Sequence, residues 1–363
     1  MPGAHAYCTV FDRNYAPRGL ALYRSLERHA GDFLLVAICM DAEARELLER
    51  IDAPRLIPVG IDELEAWDPR LAEVRPTRSP VEYCWTVVPS ACAYMLHRES
   101  SAEAVTYVDA DLYFFGSPQP LFDELGDHSI LILPHRMPDA RDELAYGRFN
   151  VGWVTLRRDA NGIAALEWWR ERCLEWCYAR VEPGRFGDQK YLDEWPSRFD
   201  GVKVGLNPTA GLGPWNQTLH GLDAATDGSL VTGGRTVVFF HYSGLTLHDS
   251  AGALGAVARR SGAYHFTDPV LWTIRARHGP RLLDRVWAPY AERWVAAQAE
   301  LVAVGADAGL GLQPLRAREL IATLARESAP APLRDAHLGL HRRVMSRKAS
   351  TRRPGSRNAL PRG

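Results

Sequence analysis

The first half of the chain alternates between short apolar runs and amphipathic segments, and this alternation limits the fold more than any other feature. The apolar run at residues 6–11 is followed by an amphipathic stretch at residues 18–29 and by a second apolar run at residues 33–40. Such runs indicate buried strands, while apolar residues spaced three or four apart indicate helices. Repeated strand, helix, strand units predict a mostly parallel sheet with helices on both faces.

The alternation continues through the next part of the chain, and we predict further elements from it. Helices are expected at residues 42–51, 81–97 and 164–178, and strands at residues 55–59, 104–108, 130–134, 151–156 and 236–240. The predicted fold class is therefore α/β, with a Rossmann-like, mostly parallel mixed sheet. Ligands of such sheets bind beyond the carboxyl ends of the strands, so residues directly after a strand are the first candidates for function.

The C-terminal third has a different pattern. From about residue 268 to about residue 324 it is helical, and we expect a helical appendage packed on the sheet domain. The predicted organisation is a domain of residues 1–250, a helical region of residues 251–340 and a tail of residues 341–363. The tail carries eight Lys or Arg and no acid, a composition typical of disorder.

The tail has two interpretations that remain open at this point. It could contact anionic lipid or nucleic acid, or it could be solvated and have no partner. Peripheral contact with the inner membrane is the expectation we keep, and a nucleic-acid partner is not expected. The N-terminal residues lack the basic and apolar regions of a signal peptide, and no apolar run is long enough to span a bilayer. A cytoplasmic location is therefore expected.

Six cysteines are present without a CxxC pair, which fits reduced thiols in that compartment. Cys173 and Cys177 are one helical turn apart, and a zinc site there would need two further ligands.

An acidic pair gives the strongest local signal for function. Asp109 and Asp111 come directly after the apolar strand predicted at residues 104–108. Two carboxylates at the end of a strand can share a hard cation that also binds a diphosphate. His241, which follows the strand predicted at residues 236–240, is a candidate third ligand, and an imidazole favours manganese or a similar ion over calcium. The alternative is that the two acids only cap a turn.

Two further segments carry polar groups suited to a sugar. Asn150 lies in the sequence GRFNVG at residues 147–152, and Asp188 and Gln189 lie in FGDQK at residues 186–190. Amide and carboxylate groups can hydrogen-bond several sugar hydroxyls, and glycines permit close backbone approach. In the alternative interpretation, Asp188 is the N-cap of a helix.

Over roughly the first 250 residues, the sequence resembles glycosyltransferase family 8 and its bacterial relatives within the GT-A nucleotide-diphospho-sugar transferase superfamily. The resemblance rests on the order and spacing of several motifs. These are Phe11 to Tyr15, Tyr107 to Asp111, Phe149 to Gly152, Gly187 to Gln189, Pro214 to Asn216, and Phe240 to Gly244. The turn at Pro214 to Asn216 resembles a bacterial subgroup found among cell-surface polysaccharide enzymes.

The resemblance implies roles at the nucleotide end of the donor. Asp12 and Asn14 would hydrogen-bond the base and ribose, and Tyr15 would stack on the base, which is usually uracil in this family. Arg78 would lie near the phosphates or the donor sugar. Gly244 would let its loop approach the phosphates. The three predicted metal ligands would hold Mn²⁺, or Mg²⁺, against the diphosphate.

The resemblance also implies roles at the sugar end. Asn150, Asp188 and Gln189 would line the donor sugar, with Gly152 permitting close approach. Gln189 and Asp188 are the residues assigned to catalysis, Gln189 by orienting the sugar. One departure concerns the phosphates, since family members often carry a lysine six residues after the metal-binding histidine. Leu247 occupies that position here, so His248 beside it, Arg78 or the metal would replace the lysine.

The predicted function is that of a retaining, metal-dependent glycosyltransferase of the hexosyltransferase type. It would move a sugar from a nucleotide diphosphate sugar, by resemblance a UDP-sugar, to a cell-surface glycan or lipid-linked acceptor whose identity stays open. Two alternatives from other classes remain. A sugar nucleotidyltransferase would carry a glycine-rich phosphate loop after the first strand, and residues 11–18 lack those glycines. The other is a noncatalytic nucleotide-sugar binding protein.

Overall fold

A computed structural model describes residues 5–261, 264–267, 270–274 and 280–327 of the chain. Its central feature is a seven-stranded sheet with the order β3-β2-β1-β4-β7-β6-β8. The strands of this sheet are β1 (His5–Phe11), β2 (Phe33–Cys39), β3 (Leu56–Gly60), β4 (Ala104–Val108), β6 (Ile130–Pro134), β7 (Phe149–Arg157) and β8 (Val202–Val204). β1 to β4 are parallel to one another, β7 runs antiparallel between β4 and β6, and β8 is parallel to β6. The predicted α/β class with a mostly parallel mixed sheet is confirmed.

Helices cover both faces of this sheet, as the amphipathic segments predicted. They are α1 (Ala16–His29), α2 (Ala42–Ile51), α3 (Ile61–Trp67), α4 (Pro69–Val74), α5 (Pro80–Arg98), α6 (Gln119–Leu125), α7 (Ala140–Tyr146), α8 (Ala160–Glu175) and α9 (Trp195–Arg198). Two large apolar clusters fill the space between helices and sheet, one for each face. The burial of these side chains is the main stabilising contribution to the domain.

Local capping sets where several helices begin. Asp41 accepts a hydrogen bond from the Ala44 amide at the start of α2, and Ser79 and Glu82 form a reciprocal capping box at the start of α5. Asp159 caps α8 by accepting from the Gly162 amide, so this helix begins four residues before the predicted residue 164 and also ends earlier, at Glu175. Hydrophobic spacing alone could not place these ends, because the cap is a polar contact.

The C-terminal part contains strands as well as helices, which corrects the expectation of a helical pattern throughout residues 268–324. β13 (Leu245–Asp249), β14 (His265–Thr267) and β15 (Val270–Ile274) form an antiparallel sheet. The run VLWTI in β15 is β-branched and aromatic, which suits a strand. The helices in this part are α10 (Gly252–Ser261), α11 (Pro280–Leu282), α12 (Ala288–Ala303) and α13 (Ala317–Glu327), with a π-helical turn at Leu283–Trp287 before α12.

The predicted domain boundary near residue 250 lies between β13 and β15, which pair with each other. The division into a sheet domain and a C-terminal region stays a prediction. The basic tail of residues 341–363 lies outside the described residues. No helix in the described ranges has both the length and the apolar character needed to cross a membrane.

Two small strand groups complete the structure. β9 (Leu222–Ala224), β10 (Leu230–Thr232) and β11 (Arg235–Thr236) form an antiparallel sheet, and β5 (Leu112–Phe114) pairs with β12 (Phe239–His241). The strand predicted at residues 236–240 is therefore displaced toward the C-terminus and lies outside the central sheet. Its register joins His241 to Leu112, the residue directly after Asp111.

Candidate metal centre and ligand cavity

A cavity of about 910 Å³ opens at the edge of the sheet where the parallel strands end. It lies where the chain leaves β1, β2, β4 and β6 and where the antiparallel β7 begins. A volume of this size is near the upper end of ordinary ligand pockets, about 300–1,000 Å³. Several predicted site residues line it: Asp12, Tyr15, Arg78, Asp109, Asp111, Asn150, Asp188, Gln189 and His241.

Three side chains in this cavity form a group that could hold a metal ion. One ligand atom from each of Asp109, Asp111 and His241 lies within 4.8 Å of the other two. The Nε2 atom of His241 is 2.9 Å from Asp111 Oδ1 and 3.6 Å from Asp109 Oδ2. Two carboxylates and one imidazole are a suitable set for a divalent transition ion. The structure thus brings together side chains that are 130 positions apart in the sequence, and their role as metal ligands stays a prediction.

Local structure explains the convergence. β4 ends at Val108, so Asp109 and Asp111 leave the carboxyl edge of the sheet, and the turn between them is closed by a bond from the Leu112 amide to the Asp109 carbonyl. The Tyr242 amide donates to the carbonyl of Asp111, which fixes His241 beside the acids. Gly152 leaves room for His241 in this position, because a Cβ atom at residue 152 would lie 2.8 Å from the His241 ring.

The charges of the three groups depend on one another in the metal-free protein. Burial raises the pKa of Asp109, and the neighbouring His241 only partly offsets this effect. Burial alone would also raise the pKa of Asp111, but the charges of His241 and then Arg18 bring this pKa below its ordinary value. Burial acts downward on the pKa of His241, yet Asp111 and Asp109 raise it overall. A divalent cation would replace the proton that these groups share.

Asp188 and Gln189 enter the cavity from the turn before a 3₁₀ helix at Gln189–Glu194. Asp188 stands at the N-cap position without a side-chain capping bond, and its carboxylate accepts hydrogen bonds from its own amide and from the Gln189 amide. Its carbonyl accepts a hydrogen bond from Trp169 Nε1 at 2.9 Å. The Nε2 group of Gln189 donates to the Tyr146 carbonyl at 2.8 Å. Both residues are therefore held by bonds to neighbouring helices.

We expect Asp188 to make the metal-free protein less stable as pH rises. Burial, and then the Asp109 charge, raise the pKa of Asp188 to about 8, whereas an unfolded chain has a value of about 3.9. Between these values the unfolded state releases a proton that the folded state retains, so the free energy of unfolding falls as pH rises.

In EDTA, Asp188→Asn should raise the melting temperature relative to wild type, by an amount that grows from about pH 4 to about pH 8. Thermal denaturation across this range measures the difference. A difference that is constant with pH would contradict the raised pKa.

The residues expected at the nucleotide end form a turn directly after β1. Asp12 Oδ1 accepts from the Tyr15 amide at 3.1 Å, and Asn14 Nδ2 donates to Asp12 Oδ2 at the same distance. Tyr15 is 43% exposed, which leaves a ring face for stacking on a base. Asn14 is not part of the cavity wall, so its place is beside Asp12.

Arg78 lines the cavity and is held by aromatic and polar contacts. Its guanidinium lies 4.1 Å from the centre of the Tyr178 ring, donates to the hydroxyl of that residue, and donates to the Leu174 carbonyl at 3.2 Å. Within the described residues it forms no ion pair, which leaves its charge available for an anion.

The structure does not bring His248 to the cavity. His248 lies on β13, is buried, and packs its ring against Tyr264 at 5.5 Å between centroids. Leu247, the position of the family's lysine, is buried in an apolar cluster. Gly244 adopts a positive φ of 81° in the turn before β13, and its neighbour Ser243 lines the cavity. The proposed role of His248 in phosphate binding is therefore wrong, because its strand faces the C-terminal region.

Sequence analysis missed His135, which lines the cavity, and Arg18, which lies behind the cavity residue Tyr15. Arg18 is 5% exposed and lies 4.4 Å over the Tyr15 ring. Its signal was available, since a charged residue interrupts the apolar face of the first predicted helix. His135 lines the cavity directly after β6, in the position relative to its strand that Asp109 has relative to β4.

No protein-family model matches the chain. Among curated proteins, it is similar to uncharacterized protein YfnF of Bacillus subtilis (strain 168), with 33% identity over 247 residues, 66% of this chain and 81% of that protein. It is also similar to uncharacterized protein YfnD of the same organism, with 30% identity over 247 residues, 66% of this chain and 78% of that protein.

Solved structures show similarity over the same share of the chain. The galactosyltransferase LgtC in complex with donor and acceptor sugar analogues has a TM-score of 0.43 and 16% identity, covering 66% of this chain and 87% of that one. Mouse xyloside xylosyltransferase 1 in its apo form has a TM-score of 0.42 and 14% identity, covering 66% and 98%. Both are glycosyltransferases, the class that the resemblance predicted, and membership of family 8 stays a prediction.

Proposed function

We propose that this chain, which belongs to the family of the Bacillus subtilis proteins YfnF and YfnD, is a metal-dependent glycosyltransferase that uses a nucleotide diphosphate sugar. The observation that carries the proposal is the convergence of Asp109, Asp111 and His241 in a cavity of about 910 Å³. A divalent ion at that position would neutralise the charge that grows on the departing diphosphate. Mn²⁺ fits the ligands best, with Mg²⁺ as the second choice.

The donor would extend along the cavity from Tyr15 to Gln189. Tyr15 offers an exposed ring face to the base, which we propose to be uracil, and Asp12 an acceptor to the ribose or base. At the other end, the buried carboxyl group of Asp188 can hydrogen-bond a sugar hydroxyl. Gln189 orients the sugar with its carbonyl oxygen, since its amide nitrogen is bonded to Tyr146.

We propose transfer of a hexose with retention of anomeric configuration. Within the described residues, the carboxylates of the cavity wall are Asp12, Asp41, Asp109, Asp111 and Asp188. Two belong to the metal group, Asp12 and Asp41 accept backbone amides in turns, and Asp188 is buried with a raised pKa. None is a free nucleophile, so the departing phosphate oxygen would accept the acceptor's proton.

A panel of nucleotide diphosphate sugars tests the proposal. With Mn²⁺, at least one donor should release free nucleoside diphosphate and should raise the melting temperature, because a ligand that binds the folded state stabilises it. Release of pyrophosphate from a nucleoside triphosphate and a sugar phosphate would instead identify a nucleotidyltransferase. Binding without turnover for any acceptor or water would favour a noncatalytic binding protein.

The acceptor and the location form a separate part of the proposal. We propose a cell-surface glycan or lipid-linked acceptor, reached by a cytoplasmic protein whose basic tail contacts the inner membrane. The support is the eight basic residues and the absence of acids in residues 341–363. Deletion of this tail should reduce cosedimentation with anionic vesicles to the level seen with neutral ones, and unchanged cosedimentation would contradict the contact.

A further inference from the structure

The nitrogen of His241 that faces away from the acids begins a chain of side-chain hydrogen bonds. His241 Nδ1 lies 3.3 Å from Asn150 Oδ1, and the Asn150 Nδ2 atom lies 2.9 Å from His135 Nε2. His135 Nδ1 lies 3.0 Å from the carbonyl of Gly147. These hydrogen bonds thus connect a backbone carbonyl, two histidines and one amide, and the series ends at the candidate metal position.

The Gly147 carbonyl, at the far end of this series of hydrogen bonds, determines the direction of every bond in it. A carbonyl oxygen only accepts, so His135 Nδ1 carries a hydrogen and donates to Gly147. His135 is 2% exposed, and burial lowers its pKa to about 4, so the ring is neutral and its Nε2 is an acceptor. The Asn150 amide therefore turns its NH₂ group toward His135 and its oxygen toward His241.

The Asn150 oxygen then accepts two hydrogen bonds. One comes from the Gly152 amide at 2.9 Å, and the other comes from His241 Nδ1. His241 consequently carries hydrogen on Nδ1 as well, and its Nε2 faces Asp109 and Asp111, where Nε2–H donates to Asp111 in the metal-free protein and a metal ion would take the place of that one hydrogen. What remains is the tautomer which a metal ion requires of a histidine bound through Nε2.

We propose that His135 and Asn150 are positioning residues that hold His241 in its metal-binding tautomer and orientation. The inference rests on the proposed metal site. It also gives Asn150 a different main task from the sugar contact that the family resemblance implies, because its oxygen is fully used within the protein and one N–H is bonded to His135.

Packing supports the same role. The Trp215 ring meets the His135 ring and the His241 ring edge-on, at 5.2 Å between centroids in both cases. The two imidazoles are thereby packed against one indole. Gly152 completes the arrangement, since a Cβ atom there would lie 2.5 Å from Asn150 Oδ1.

The experiment measures Mn²⁺ affinity of the full chain by calorimetry, with Mn²⁺ alone as the probe. His135→Leu and Asn150→Leu should each weaken binding by about 10- to 100-fold, the range typical of residues behind a metal ligand. His135→Gln should bind nearly as well as wild type, because its amide can donate to Gly147 and accept from Asn150. His128→Gln is the matched control, a histidine near a backbone carbonyl outside the cavity.

The double variant His135→Leu with Asn150→Leu separates positioning from general damage. If both residues act through His241, the double variant should bind Mn²⁺ no more weakly than Asn150→Leu alone. Additive losses, or unchanged affinity in both single variants, would overturn the proposal. Absence of Mn²⁺ binding by wild type would instead contradict the metal site, so the two failures are distinguishable. ¹⁵N NMR should show His135 neutral with hydrogen on Nδ1 at about pH 7, and the other tautomer would also overturn it.

Discussion

Asp111→Asn should abolish metal-dependent transfer while leaving the fold intact. The Asp111 side chain is 11% exposed and lies 2.9 Å from His241 Nε2. Replacing the carboxylate by an amide removes one negative charge from a group of three ligands. The loss of turnover should exceed the roughly 100-fold upper range seen for residues behind a metal ligand. Sugar transfer or nucleotide release at saturating Mn²⁺ measures it.

The matched comparison is Asp193→Asn, an acid that pairs with Lys190 and is not part of the cavity wall. It should retain turnover within a few-fold, and both variants should show the wild-type far-UV circular dichroism spectrum. Wild-type turnover in Asp111→Asn, with a folded protein, would refute the metal assignment.

Arg18→Met should weaken binding of a nucleoside diphosphate without weakening binding of the nucleoside. Arg18 is the one buried Arg or Lys among the described residues, and within them it forms no ion pair. Its guanidinium donates to the Leu245 carbonyl at 2.9 Å and covers Tyr15. A buried cation without a direct ion-pair partner is costly, although the charge of Asp111 acts on it, and a diphosphate bound beside the Ser243 turn would supply a direct partner.

Arg18 would thus supply the positive charge that family members place at position 247. Hydrogen bonds to charged groups contribute about 1.5–3 kcal/mol, so UDP affinity should fall by roughly 10- to 100-fold. Arg28→Met is the control on the same helix, since Arg28 bonds the Tyr113 hydroxyl, whereas Arg18 covers the ring of the cavity residue Tyr15. Calorimetry with UDP and uridine compares the two ligands. If Arg18→Met weakened the affinity for UDP and for uridine equally, Arg18 would only support the Tyr15 turn.

The sheet and its edge could be predicted from sequence because burial leaves a regular pattern. The run at residues 33–40 is apolar at nearly every position since β2 is covered on both faces. The same rule placed Asp109 and Asp111 at a strand end. His241 became a candidate by the same rule, but the pairing of β12 with β5 that brings it to the acids joins residues more than a hundred positions apart and leaves no pattern in the sequence.

The parts that were not predicted depend on contacts that periodicity does not encode. His248 seemed available for phosphate because it follows His241 closely, but β13 pairs with β15 and turns it toward Tyr264. His135 was overlooked because a single histidine after a strand carries no signal until its partners are known. Its function becomes visible only through the bonds to Asn150 and Gly147.

Anomalous diffraction at the manganese edge, from crystals grown with Mn²⁺ and UDP, tests the central claim most directly. The account predicts one strong peak at about 2.0–2.3 Å from a carboxylate oxygen of Asp109, a carboxylate oxygen of Asp111 and Nε2 of His241. A peak bound elsewhere, or UDP bound in the cavity with no ion at these three side chains, would contradict it.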